Sequence, residues 1–259
     1  MLQYKQKMKS LFASLLLGFL IVLFWHTGYG LSCLFLIVPV IFWAVLLHDM
    51  YGFRLSVRRC QAACWLDEST PLYRLMTGGI FVFVVSAVES ALLAAILALF
   101  IPTLSFLELS LLLVDAFALL WLYRRFDGAS FFKKPVRSYA GKRLLAHMSA
   151  LALTALFLIV ALEQTPPPYL HDSLSHTIDA ATLQTFSRCG ALDTLMRLVQ
   201  AFLAAKWWVM LSMSATQMAP LIKSALWTLF LAGNYLAMLA YGLYILHLYT
   251  LLRRLGDEK

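Results

Sequence analysis

The sequence predicts an all-α fold, a polytopic bundle of transmembrane helices. Three observations carry that reading. Of the 259 residues, 62% are hydrophobic, and only 13% are charged. The apolar residues also gather in uninterrupted runs, and mean hydropathy is +0.80. Globular chains hold roughly 45–50% apolar and ~25% charged residues, so a soluble domain of this composition would lack the polar surface to cover its core.

Six spans follow in order, at about 10–26, 31–47, 79–101, 105–123, 144–163 and 221–250. Each is near or above the ~17–20 residues that a helix needs to cross ~30 Å of hydrocarbon. Breaks at His26–Gly30 and Pro102–Ser105 join the first four into two tight hairpins. Inner loops are expected at 48–78 and 124–143, and an outer segment at 164–220, all within a single membrane domain over 1–259.

The charge balance orients this plan. Formal net charge is +8. Of 21 Lys and Arg residues, only Arg188, Arg197, Lys206 and Lys223 fall on the expected outer side. By the positive-inside rule both termini lie in the cytoplasm, and the first span is an uncleaved signal anchor. The basic excess is thus read as topology and contact with an anionic inner leaflet, not as nucleic-acid binding. The expected location is an inner (cytoplasmic) membrane of bacterial type.

Between spans five and six the pattern changes. "QTPPPYL" begins a stiff, extended exit. Over 191–205, Leu192, Leu195, Met196, Val199, Phe202 and Leu203 recur on one helical face. Lys206, Trp207 and Trp208 then suit the headgroup region. We read 191–219 as an interfacial or re-entrant helix on the outer side; the alternative is a seventh span.

Two deep carboxylates stand out. Glu89 lies in "FVFVVSAVESALLAAILALF", and Asp115 is as far after the Pro102 turn as Glu89 is before it. At 1.5 Å per residue both sit about 20 Å from the turn. Glu108 lies two helical turns from Asp115 on the same face. An acid at a helix centre costs roughly 2.5–3.5 kcal/mol to insert, so both should face protein or water. Two uses compete: a proton or cation relay, or polar glue between helices. The plainer one is glue, because Ser86, Ser90, Ala94 and Ala98 form a small-residue ridge beside Glu89, with Ala87, Ala91 and Ala95 in the next row.

Other constellations are weaker. Arg58 and Arg59, with Arg124, Arg125, Lys133, Lys134 and Arg137, mark the inner loops as docking surfaces for lipid headgroups or for other membrane or cytoplasmic subunits. Cys33 and Cys189 both fall on the outer side, where a disulfide between them would tie the outer segment to span two. Cys60 and Cys64 read as reduced thiols; their C-x3-C spacing is not that of a zinc or redox pair. His171, Asp172 and His176 are the residue types of a metal or catalytic site, but their spacing is not a zincin's and a polar loop is the plainer reading. Asp127-Gly128 begins a headgroup-transferase signature that the following residues do not complete. No Walker A, G-x-S-x-G or H-E-x-x-H pattern occurs. No cofactor and no metal are expected.

The expected function is that of a non-enzymatic membrane subunit of a transport, export or secretion assembly. The alternatives are a proton- or cation-coupled carrier using Glu89 and Asp115, and a lipid-active membrane enzyme using the outer histidines.

Overall fold

Apolar runs bounded by Gly, Pro and Ser dictate the helices, and the computed structural model places them as follows. It describes residues 2–65, 67, 69–71, 79–127, 134–163, 167–184, 187–215 and 220–257. Among these lie eight α-helices: α1 (Leu2–Gly28), α2 (Ile37–Trp65), α3 (Gly79–Phe100), α4 (Phe106–Asp127), α5 (Lys134–Glu163), α6 (Leu174–Leu183), α7 (Gly190–Ala215) and α8 (Pro220–Asp257). Six of them are long and apolar enough to cross a membrane; α6 and α7 are not among them.

Local chemistry sets the ends. Ser105 and Glu108 form a reciprocal capping box at the start of α4, with Glu108 Oε2 accepting from the Ser105 N–H at 2.7 Å. Ser173 caps α6 by accepting from the His176 N–H. Gly28 lets the chain reverse after α1. A Cβ there would lie 1.8 Å from the Phe35 ring, which folds over the helix end against Phe24.

The central element is α8. Its spanning part is 78% buried, against 33–39% for the other five spans, and it touches α1, α2, α3, α4, α5 and α7. Gly18 on α1 permits one of these approaches, since a Cβ there would meet Ile245 at 2.9 Å and Leu248 at 3.1 Å. Tyr241, Tyr244, Ile245 and Leu246 are almost wholly enclosed. Outer helices turn large apolar side chains outward, among them Leu16, Leu20, Val84, Val88, Val114 and Leu151, as a lipid-facing surface requires. Buried polar tips reach backbone carbonyls: Trp25 Nε1 donates to Ala98 O at 2.7 Å, and the Tyr241 hydroxyl to Leu112 O at 2.8 Å.

Three expectations change. Helix α2 does not stop at residue 47 but continues to Trp65, and α5 begins at Lys134, so much of both expected inner loops is helical. Helix α3 packs along α2 and α8, and α4 along α5 and α8, so the two helices of the expected second hairpin do not share a main interface. The small ridge holds in part: Ser86, Ser90, Ala94 and Ala98 are buried, whereas Ala91 and Ala95 face outward.

Candidate functional site

Helical geometry sorts a set of charges into two linked clusters near the end of the bundle that carries the chain termini. On α2, Asp49 and Arg54 are five residues apart and so point about 140° from each other. Asp49 faces α5 and α8, while Arg54 faces α3. Lys142 and Arg143, adjacent on α5, divide in the same way.

The first cluster is buried. Lys142 Nζ donates to Asp49 Oδ2 at 2.5 Å and to Thr250 Oγ1 at 3.2 Å. Both ionic side chains are more than nine-tenths enclosed, at 3% and 7% exposure. Arg254 reaches within 3.6 Å of the other Asp49 oxygen from the end of α8. His247 Nε2 lies 3.6 Å from Asp49 Oδ2, and the ring leans on the Leu46 backbone without a well-aligned hydrogen bond. His247, Thr250 and Arg254 lie three and four residues apart, on one face of α8. This cluster pins α2, α5 and α8 together in a place where an unpaired charge would cost several kcal/mol.

The second cluster holds Glu89. One carboxylate oxygen takes the Arg54 guanidinium, and the other takes Arg143 Nη2 at 3.0 Å. Glu89 therefore bridges α2, α3 and α5. Asp115 is placed differently, half-buried and accepting from the Ser149 hydroxyl at 2.7 and 2.9 Å. Among the described residues no Lys, Arg or His lies within ion-pair distance of it. The two acids thus take separate partners, because the third dimension supplied Glu89 with cations from α2 and α5. Glu108 belongs to neither cluster; it closes the capping box at the opposite end.

Among the other sequence-marked residues, Arg58 stacks over the Phe81 ring at 4.8 Å and Arg125 over Trp121 at 5.2 Å. Arg59 is exposed and Arg124 partly so. Lys133 lies outside the described residues, and of Lys134 and Arg137 only the backbone is described. Cys33 and Cys189 are joined by a disulfide, and Cys60 and Cys64 are exposed free thiols. Around the disulfide, Arg188 N–H donates to Gly30 O at 3.2 Å and Ser187 Oγ to Tyr29 O at 3.2 Å. His171 and His176 meet edge to face at 6.5 Å, but among the described residues no three metal-ligating side chains converge.

A second feature had no sequence signal beyond Lys206 itself. At the disulfide-bearing end, α7 roofs a cavity of about 410 Å³. Gln200, Leu203, Lys206 and Trp207 project into it from one face of α7; Phe157 of α5 and Phe230 and Asn234 of α8 form its wall. Lys206 Nζ stands 4.1 Å over the centre of the Phe230 ring. Burial holds the Lys206 ammonium down to a pKa of about 8, opposed in part by the charge on Glu108. Compared with known protein families, curated proteins and solved structures, the chain matches none.

Proposed function

We propose that this multi-pass membrane protein is a non-enzymatic membrane subunit of a transport, export or secretion assembly, seated in an inner (cytoplasmic) membrane of bacterial type with both termini in the cytoplasm. The observation that carries the reading is the far end of α2. Beyond the buried Asp49 the helix runs on to Trp65, with a half-buried Arg58, an exposed Arg59 and a Trp65 that is 87% exposed. Arg and Trp together are the residue types enriched at the anchoring points of protein interfaces. The pairing of Glu89 with two arginines supports a structural rather than a conducting role for that acid.

Orientation has two supports besides the Lys and Arg bias. A Cys33–Cys189 disulfide belongs in an oxidising compartment, and the exposed Cys60 and Cys64 thiols lie on the part of α2 leading away from it. The amphipathic α7, which is not among the spanning helices, then rests at the outer interface.

Purification in mild detergent with mass spectrometry tests the subunit reading. A partner recovered in fixed stoichiometry, and lost on Arg58→Glu with Arg59→Glu, is the expected result. A lone monomer from the wild type under the same conditions overturns it.

A proton-coupled carrier is the second reading, and Asp115 favours it. A half-buried carboxyl that has a hydroxyl donor but no ion-pair partner among the described residues can take up and release a proton. Glu89, already held by two guanidinia, is poorly placed to do so.

A further inference from the structure

The cavity under α7 is independent of the subunit reading and has the make-up of a ligand site. Its volume of about 410 Å³ falls within the ~300–1,000 Å³ of small-molecule pockets, which combine apolar walls with a few convergent polar groups. Here the apolar walls come from Phe100, Phe157 and Phe230, and the polar groups are Lys206, Gln200 and Asn234.

Lys206 decides the ligand's charge. It is a partly buried cation, and among the described residues no carboxylate lies within 4 Å of it. The nearby acid is Glu108, whose Oε2 is already engaged by the Ser105 N–H and hydroxyl at 2.7 and 2.8 Å. Among the described residues the face of the Phe230 ring is what offsets the ammonium directly, and a cation–π contact is a weak substitute for a counter-ion. A cation held in an enclosed, aromatic-walled space with amides beside it can make charge-assisted hydrogen bonds to an incoming anion.

We propose that this cavity binds an amphipathic anion, its carboxylate or phosphate head on Lys206 and its apolar body against Phe157 and Phe230. The head is flanked by the Gln200 and Asn234 amides. The disulfide and the Ser187 and Arg188 hydrogen bonds anchor the chain leading into α7, at the start of the roof. The same chemistry fits a water-soluble organic acid entering from the outer solvent and an anionic lipid entering from the leaflet.

Two arms separate these sources. Calorimetric titration of the protein in phosphatidylcholine nanodiscs with 4-phenylbutyrate or hexanoate, corrected against empty discs, tests the soluble acid. Native mass spectrometry with dilauroyl phosphatidate against dilauroyl phosphatidylcholine tests the lipid. The expected result is one saturable equivalent in at least one anionic arm. Lys206→Gln should weaken it about tenfold or more, and Lys206→Arg should retain it.

A third measurement needs no variant. Wild-type affinity should fall as pH rises from about 7 to about 9.5, because the Lys206 ammonium is lost through about 8. The other titratable groups facing it are Glu108 on α4, Tyr29 after α1 and Tyr169. Burial raises both phenols above their ordinary value, so they stay neutral as Lys206 discharges. Absence of saturable binding in both arms overturns the proposal. So does binding that is unchanged in Lys206→Gln, indifferent to pH, or equally strong for hexanol and phosphatidylcholine.

Discussion

Lys142 donates to Asp49 at 2.5 Å across the α5–α2 contact, with both side chains more than nine-tenths enclosed and Thr250 of α8 accepting from the same ammonium. Such a pair is costly to break from one side, because the remaining charge keeps its burial and loses its partner. Lys142→Met alone should lower stability by about 3–5 kcal/mol, and Asp49→Leu alone by a similar amount. The double variant should recover most of that loss. Denaturant unfolding in detergent measures all three, and a double variant as unstable as the sum of the singles would refute the pairing.

Glu89 and Asp115 should separate on mutation. Glu89→Gln removes the charge that Arg54 and Arg143 share, so accumulation and thermal stability should fall, by about 2 kcal/mol or more. Asp115→Asn keeps an acceptor for Ser149 and should change stability by less than about 1 kcal/mol. Proton flux into proteoliposomes, followed with a pH dye, then judges the carrier reading. Flux that survives Asp115→Asn removes it, and flux lost there at normal protein levels supports it.

The cysteines report sidedness. A membrane-impermeant maleimide added to intact cells should leave Cys60 and Cys64 unlabelled. It should reach the exposed Cys33 only after reduction, while Cys189 is buried. Labelling of Cys60 from outside would invert the proposed topology. The link closes a loop of 156 residues, and replacing both cysteines by Ser should cost about 2–4 kcal/mol.

Lys206 gives a pH dependence of stability with a definite sign. The unfolded chain keeps this proton to about 10.5, whereas the folded site gives it up near about 8. Between these values the unfolded state binds more protons, so this group's contribution to stability rises with pH. Below about 8 the folded state bears the full cost of the buried ammonium. Melting temperatures of ligand-free protein should therefore climb more between pH 8 and pH 10 in the wild type than in Lys206→Met. Parallel curves would mean that Lys206 is not desolvated.

The spanning helices were legible in the sequence because their cause is local. A helix in hydrocarbon needs a continuous apolar run, and 79–101 and 105–123 match α3 and α4 within a few residues. The boundary of α2 was misplaced for the opposite reason. A hydropathy reading treats His48 and Asp49 as the end of a span, and nothing along the chain indicates that Lys142, Thr250 and Arg254 will converge on that carboxylate. The central place of α8 did leave a trace: it is the least apolar of the six spans, and its tyrosines, His247 and Thr250 suit protein neighbours better than lipid.

By itself the sequence determined the membrane class, the six apolar helices and the small ridge beside Glu89. These depend on composition and on periods of a few residues. Only the tertiary structure decided which partners the buried charges take. Glu89 is bound by Arg54 and Arg143, 35 and 54 residues away in the chain, rather than sharing a seam with Asp115. Electrostatic energy at a buried site depends on the distance to every charge in space. Those distances exist only once α2, α3, α5 and α8 have packed, and once α7 has carried Lys206 over Phe230 of α8.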